Sequence, residues 1–413
     1  MKENKFKKTE IGEIPEDWEV NKIGNLCEVK SGKRLPKGHM LTEEKTAHQY
    51  IRVRDLENGS VKVNELLFLK DETYKKISRY IIQKDDVYIS IVGTIGLVGT
   101  IPEEIDGANL TENCARLTKL KNTNKEWLSY YLNSREGQAQ ISALTVGTTQ
   151  GKLALFRIKD IIIPVPEISE QQSIAKILSD LDTQIEVLQQ QNETLEVIDK
   201  ALFKHWFMDF EFPNEKGKPY KSSGGAMVDS ELGEIPKGWE VKPLGDFIDL
   251  DKGVSYKGAF LTEKGNGLPM ANLGTFKPLR GFKDDSLKYY SGEHRERHTV
   301  KPGDLIIANT DITQHRVILG SPAIIPKYLE SDKILFTHHI FAVRHKEDTL
   351  KNEYLYFLLQ TPEYRMRARG FATGTTVLAL PHDAILELPF IVAEKRLLNQ
   401  FNELEPIHIG NKF

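Results

Sequence analysis

The sequence predicts an α+β fold made of two similar globular units joined by a long helix. Three observations predict it. Short apolar runs, such as Tyr50-Ile51-Arg52-Val53-Arg54 and Asp86-Val87-Tyr88-Ile89-Ser90-Ile91-Val92, alternate with glycine-rich turns, as brief strands do. A block of sequence recurs late in the chain. A stretch from Ser169 to Phe212 contains neither glycine nor proline.

The recurrence organises the chain. Ile11-Gly12-Glu13-Ile14-Pro15-Glu16-Asp17-Trp18-Glu19-Val20 returns as Leu232-Gly233-Glu234-Ile235-Pro236-Lys237-Gly238-Trp239-Glu240-Val241, 221 residues on (232 minus 11). Five further pairs keep the same order: Lys84 to Ile89 with Pro302 to Ile307, Trp127 to Leu132 with Tyr354 to Leu359, Gly147-Thr148-Thr149 with Gly374-Thr375-Thr376, Ile161 to Pro164 with Leu386 to Pro389, and Glu170-Gln171-Gln172 with Glu394-Lys395-Arg396. The expected divisions are a globular unit at 1–166, a spacer helix at 167–213, a polar linker at 214–231, a second unit at 232–391 and a short distal helix at 392–413, apparently truncated. Each unit is expected to carry one amphipathic helix, Lys125 to Gln138 and Asn352 to Arg369. Two copies do not make a solenoid.

The spacer begins with Ser169-Glu170-Gln171-Gln172, which reads as a capping box. Ile174, Ile177, Leu181, Leu188, Leu195, Ile198 and Leu202 then fall on one stripe in steps of three and four, with Gln184 and Gln191 as polar breaks. At 1.5 Å per residue the helix is expected to be roughly 55–60 Å long. The distal helix, starting near Ala393, meets Pro406 after about three turns and can cover only part of that stripe. Trp206 and Phe207 read as packing anchors at the junction, or as a surface for a partner.

Composition narrows the function. The chain has 413 residues, 28% charged and 39% apolar, and is too long for one ordinary core. No run of about 18 uncharged apolar residues suggests a membrane span. Met1 to Glu10 is charged throughout and lacks a signal peptide's apolar stretch, so a cytoplasmic location is expected. Cys27 and Cys114 are too few for a disulfide framework or a zinc cluster, and each reads as a small buried residue. The net charge of −3 and the pI near 6.4 argue weakly against nucleic acid, yet the position of charge matters more than its sum.

Catalytic motifs are missing. Gly147-Thr148-Thr149-Gln150-Gly151-Lys152-Leu153 resembles a phosphate loop but is one residue short, with Leu153 where the magnesium-binding hydroxyl belongs. There is no Gly-x-Gly-x-x-Gly loop and no Asn-Pro-Pro-aromatic signature. His294 and His298 are four apart but not in the metalloprotease order, and His338, His339 and His345 add no ligand set. Asp304 matches Asp86 at a turn before a strand, so both read as structural.

What remains suits binding. Lys30, Lys33, Arg34 and Lys37 lie in a loop with Gly and Pro. Arg52 and Arg54, two apart, are expected on one face of a strand. Arg79 precedes another strand. The second unit has Lys252, Tyr256, Lys257, Arg280, Arg295, Arg297, Gln314, His315 and Arg316, and Arg365, Arg367 and Arg369 on its late helix. Arg and Gln can bond guanine and adenine edges, and Lys and Arg neutralise phosphates. These residues sit where the two copies differ, as in two readers of one kind with different targets.

The chain resembles the specificity (S) subunit of type I restriction–modification systems. The likeness covers essentially the whole chain and is strongest in Leu202-Phe203-Lys204-His205-Trp206-Phe207-Met208-Asp209-Phe210-Glu211-Phe212, Gly217-Lys218-Pro219-Tyr220-Lys221 and Glu231 to Trp239, with Gly147-Thr148-Thr149-Gln150 and Glu170-Gln171-Gln172 before them. The resemblance implies two tandem target-recognition domains, each followed by a helix, the helices pairing as an antiparallel coiled coil that fixes their distance. Each domain would read half of a gapped, two-part site in double-stranded DNA. Two methyltransferase (M) subunits would dock on the helices and methylate adenine N6 with S-adenosylmethionine, and two restriction (R) subunits can join, using ATP and magnesium. This chain would hold no cofactor and catalyse nothing. Thr148, Thr149, Gln150, Lys152, Thr375 and Thr376 join the candidate DNA-binding residues above, and the apolar stripe with Trp206 and Phe207 is the candidate spacer and subunit interface. The alternative from another class is a coiled-coil scaffold with no sequence preference on DNA.

Overall fold

The computed structural model describes residues 5–147, 151–277, 281–311, 317–347, 349–374 and 377–404, except the side chain of Leu404. Two compact units divide the chain, Met1–Gln184 and Ile185–Phe413.

In the first unit β1 (Phe6–Thr9) and β2 (Gly12–Pro15) make a hairpin, and β3 (Glu19–Lys22) awaits the unit's last strand. Then come β4 (Glu28–Ser31), β5 (Gln49–Ile51), β6 (Leu67–Phe68), β7 (Val87–Ser90), β8 (Val98–Thr100), β9 (Asn109–Leu110), β10 (Cys114–Thr118) and β11 (Ile162–Val165). The central sheet has the order β4-β10-β7-β8, and a smaller one β6-β5-β9, in which β5 and β9 run parallel. β3 closes on β11. β7 is buried on both faces: Val87 and Ile89 enter one core with Leu117 and Ile163, while Tyr88 enters another with Ile51 and Leu110. That is why Val-Tyr-Ile-Ser shows no polar alternation. Cys27 and Cys114 are free and buried, and burial pushes the Cys27 thiol up to about 12.

The second unit repeats the plan with β12 (Met227–Ser230), β13 (Gly233–Pro236), β14 (Glu240–Pro243), β15 (Ile248–Lys252), β16 (Leu261–Thr262), β17 (Leu268–Ala271), β18 (Lys288–Tyr290), β19 (Thr299–Val300), β20 (Leu305–Ala308), β21 (Thr310–Asp311), β22 (Pro322–Ile324), β23 (Ile334–Phe336), β24 (Ile340–His345), β25 (Leu378–Ala379) and β26 (Pro389–Val392). Its central sheet is β15-β24-β20-β22, its parallel pair is β17 with β23, and β14 closes on β26. β20 divides its side chains as β7 does, Leu305 and Ile307 to one core and Ile306 and Ala308 to another. Asp86 and Asp304 do equal work: each Oδ2 accepts the N–H three residues earlier, from Gln83 and Lys301, at 3.0 Å. Both are turn residues, as the sequence indicates.

The pairing corrects two of the sequence matches. Val165 lies opposite Glu19 and Val392 opposite Glu240, so Pro164 corresponds to Ile391 and not to Pro389. Trp127 Nε1 donates to the Pro164 carbonyl and the Tyr354 hydroxyl to that of Ile391, giving the same 227-residue offset (391 minus 164). The helix starts, Ile168 and Lys395, share it (395 minus 168), so Glu170-Gln171 corresponds to Leu397-Leu398 and not to Glu394-Lys395.

The late helices also differ from expectation. The first is two, α1 (Lys125–Asn133) and α2 (Arg135–Leu144), because Ser134 is extended and its Oγ accepts the Gly137 N–H. The spacer is α3 (Ile168–Phe203), 36 residues and about 54 Å, closed by a wider π turn over Lys204–Met208. The second late helix is again two, α4 (Asn352–Leu358) and α5 (Pro362–Gly370), where Thr361 caps and Pro362 takes the first helical position. The chain's last described element is α6 (Lys395–Leu404).

Ser169 is not the cap of α3. The helix begins one residue earlier, with the Glu167 carbonyl accepting N–H groups from Glu170 and Gln171. Gln171 does the anchoring instead. Fully buried, it accepts the Asn124 N–H at 2.9 Å and donates to the carbonyls of Pro166 (2.8 Å) and Asn122 (3.1 Å). We predict that Gln171→Ala destabilises the first unit by about 1–3 kcal/mol, since it leaves a buried N–H and two carbonyls unmet; a denaturant melt followed by Trp fluorescence measures it.

The apolar stripe of α3 is largely uncovered. Ile177, Leu181 and Ile198 are 62%, 56% and 54% exposed, and Ile174, Leu188, Leu195 and Leu202 are half-buried. α6 has ten residues and meets only the far end, where Phe401 packs on Phe203, Trp206 and Phe207 at 5.1–6.1 Å between centroids. Trp206 and Phe207 are therefore core residues of the second unit rather than an open surface for a partner.

Candidate nucleic-acid interface

In each unit one glycine places a basic loop. A Cβ on Gly32 would lie 2.1 Å from the Leu110 carbonyl oxygen, so only glycine lets the chain leaving β4 cross the end of β9. The crossing is fixed by Gly32 N–H to Cys114 O, Lys33 N–H to Leu110 O and the Tyr50 hydroxyl to Lys33 O. Lys33 Nζ then stands 5.5 Å from the centre of the Tyr80 ring. Arg34, exposed, pairs with Glu112. Burial alone would raise the Glu112 carboxyl, but its bonds, led by the one from Arg34, hold it below the usual range.

Strand pairing adds to this group. Lys30 on β4 lies opposite Arg116 on β10, and Arg116 Nη2 donates to the Arg79 carbonyl at 3.4 Å. Bonds from Lys119 and Lys30 hold the Glu28 carboxyl at about 2. Lys33 thus meets Tyr80, Arg34 meets Glu112, and Lys30 lies opposite Arg116, which bonds the Arg79 carbonyl, so Arg116 is a member that the sequence reading missed. Only the pairing register could have revealed it.

Arg52 and Arg54 depart from expectation. The strand ends at Ile51, and Val53–Asp55 is a 3-10 turn. Arg52 is turned inward. Its Nε and Nη2 donate to the fully buried Asp55 carboxylate at 2.8 and 2.7 Å, and Nη2 also reaches the Glu65 carbonyl. The geometry gives Arg52 a structural task, while Arg54 stays exposed 4.0 Å from the same carboxylate. Lys152 is exposed, its backbone bonded both ways to Val146.

The second unit uses the same crossing with different side chains. A Cβ on Gly253 would lie 2.2 Å from the Phe336 carbonyl oxygen as the chain leaves β15 over β23. Beyond it, Lys288 Nζ sits 5.2 Å from the Tyr256 ring centre and 3.2 Å from its hydroxyl. Tyr256 and the exposed Phe260 both pack edge-on against Tyr290, next to exposed Lys257. Lys288, Tyr290 and Phe260 were not singled out from sequence, because β18 is only three residues long and owes its place to pairing with β16 on one side and β17 on the other. His339, near Lys252, is held below the ordinary histidine range by burial and then by His338 and Lys252.

Arg295 and Arg297 stand on another exposed turn, Glu296–His298. The carbonyl of Arg297 is held by Arg344, which also pairs with Asp251 at 2.9 Å. Arg297 overlooks a depression of mixed charge lined by Asp251, Asp304, Lys333 and Arg344. Thr148, Thr149, Gln150, Arg280, Gln314, Arg316, Thr375 and Thr376 lie outside the described residues.

Among the described residues no group of His, Cys, Asp and Glu could hold a metal ion, and no helix is long and apolar enough to cross a membrane. Cations beside aromatic rings, carried on loops over a rigid sheet, suit a polyanion with stacked flat groups.

Basic loops carried on a rigid sheet are what a nucleic-acid-recognition protein needs. Residues 15–197 match the family described as the type I restriction modification DNA specificity domain. The chain is 31% identical over 258 residues to the type I restriction enzyme MjaIX specificity subunit of Methanocaldococcus jannaschii, covering 61% of this chain and 56% of that one. To the MjaVIII specificity subunit of the same organism it is 25% identical over 424 residues, covering 98% and 90%. The crystal structure of an S subunit from M. genitalium aligns over 94% of this chain and 88% of its own, at 17% identity and a TM-score of 0.49. Residues 15–197 thus carry a type I restriction–modification DNA specificity domain, and most of the chain is similar to specificity subunits of such systems. The chain's match to MjaIX spans just over half of that relative's length.

Proposed function

We propose that this chain is the non-catalytic DNA-reading subunit of a type I restriction–modification complex, each unit reading one half of a gapped, two-part site. One observation carries the reading. The two units share sheet order and a glycine crossing at Gly32 and Gly253, yet they present unlike loops there, Lys33-Arg34 with Tyr80 against Tyr256-Lys257 with Lys288. A common frame with different loops is what two recognition domains of different specificity require. The spacing of the half-sites would be set by α3, with α6 against its far end. Methyltransferase subunits would dock along the helices and methylate adenine N6, S-adenosylmethionine being bound there and not in this chain. A restriction subunit, where present, would bring ATP and magnesium chemistry.

The test is selection from a random duplex library by this chain assembled with its methyltransferase subunit. A gapped motif is expected. Lys33→Ala with Arg34→Ala is expected to cost about 1–3 kcal/mol for each base these side chains read, confined to one half of that motif. A uniform loss on every duplex would mean that they bind phosphates instead. Selection that returns no motif would favour a scaffold.

A further inference from the structure

A cavity of about 480 Å³ in the second unit lies away from the loops above. It is lined by Lys200 from the last turn of α3, Ser321 and Pro322 at the start of β22, Gln360, and Arg365 and Arg369 of α5. Arg365 and Arg369, four apart on one helix, share a face. No acidic side chain is among the described residues that line it.

Arg365 is only 7% exposed. Its Nη2 donates to the Val317 carbonyl at 2.9 Å, but Nε and Nη1 meet no acceptor. Gln360, 9% exposed, lies beside the Tyr356 hydroxyl, and its Nε2 also meets no acceptor in bonding geometry. Asp311 is the carboxylate that acts on Arg365, and its Oδ2 already receives the N–H groups of Ile318 and Leu319. Glu196 is bonded by Tyr356. Burial, then the charge of Arg369, lowers the Arg365 guanidinium to about 10. A buried guanidinium with idle donors is costly unless something answers it.

We propose that Arg365, Gln360, Lys200 and Arg369 form a phosphate-binding pocket. An arginine fork fits carboxylate or phosphate, but donors reach this cavity from α3, from α5 and from Gln360. A tetrahedral phosphate group, free or in a diester, accepts from more directions than a planar carboxylate and fits that spread of donors. The cavity exceeds the roughly 30 Å³ of a single water more than tenfold, leaving room for a phosphate carried on a larger molecule. If the chain reads DNA as proposed, a backbone phosphodiester is the natural source, and free phosphate is the other.

The test uses the full chain. Its melting temperature is measured in potassium phosphate and in potassium chloride at equal ionic strength, for wild type, Lys200→Ala and Arg365→Met. Lys200 is exposed, so its variant reports even if Arg365→Met does not fold. Wild type should gain about 2–4 °C in phosphate, and Lys200→Ala should lose at least half of that gain. Equal gains in wild type and both variants would reveal only the general stabilising effect of phosphate on proteins and overturn the proposal, as would no gain at all. The source follows from binding a short duplex over a range of KCl. A salt slope smaller by about one in Lys200→Ala assigns a DNA phosphate. An unchanged slope, with the phosphate-specific gain intact in wild type, assigns free phosphate. A chain that keeps that gain but binds no duplex would sink the DNA reading and leave the pocket standing.

Discussion

Phe203→Ala is expected to cost the second unit about 3–5 kcal/mol. Phe203 is 2% exposed at the C-terminal end of α3. Its ring meets those of Phe207 and Tyr354 at 5.1 and 5.2 Å, and those of Phe357 and Phe401 at 5.9 Å each. These rings come from the π turn, α4 and α6, so one truncation loosens three elements at once. Interior packing leaves little room for collapse into the hole. By contrast Ile198→Ala, on the exposed stripe one and a half turns earlier, should change the stability of the isolated chain by less than about 0.5 kcal/mol. Urea unfolding of the two variants against wild type measures both. Similar losses at the two positions would mean that the stripe is covered within the chain.

Arg52→Ala is expected to destabilise the first unit by about 3–5 kcal/mol. The fully buried Asp55 carboxylate accepts three bonds from this one residue: the backbone N–H at 2.8 Å, Nε at 2.8 Å and Nη2 at 2.7 Å. Removing the guanidinium strands a buried negative charge, and that penalty exceeds whatever the pair contributes when intact. Arg52→Lys should recover only part of the loss, because an ammonium cannot span both carboxylate oxygens. Arg52→Ala with Asp55→Asn should recover more, since the stranded charge is gone. If DNA binding falls in Arg52→Ala, it should fall alike on all sequences and in step with the unfolded fraction. Full stability with a changed sequence preference would return Arg52 to the reading surface.

Much of the frame is legible in the sequence because apolar spacing and turn residues are local signals. The hairpin glycines Gly12 and Gly233, at φ 106° and 101°, mark the start of each unit. The Asp86 and Asp304 turns and the sparing use of cysteine are equally readable. Register is less so. Matching Pro164 with Pro389 and Glu170 with Glu394 follows the letters, whereas strand pairing with β3 and β14 follows the core face, and these differ by two and three residues. The break at Thr361-Pro362 carries a local signal, a capping residue before a proline, that helical periodicity across it obscures. Arg52 shows the limit for sites. Two arginines two apart look like one face of a strand until the buried Asp55 bends the chain into a turn. Arg116 and Lys288 join their clusters only through strand partners far away in sequence, so no window of residues contains the pattern.

Pairing also explains why the candidate interface is built on glycine. Gly32 and Gly253 let a loop pass within van der Waals contact of a neighbouring carbonyl, which anchors the loop's base while its tip varies. The Lys33–Tyr80 and Lys288–Tyr256 contacts stand on that anchored base.

The most direct test of the central claim is a map of adenine methylation across the host genome, with and without this gene. The account predicts that one gapped, two-part motif is methylated when the gene is present and loses its methylation when the gene is deleted. An unchanged map, in cells where the chain still copurifies with a methyltransferase subunit, would contradict the claim that this chain chooses the sequence.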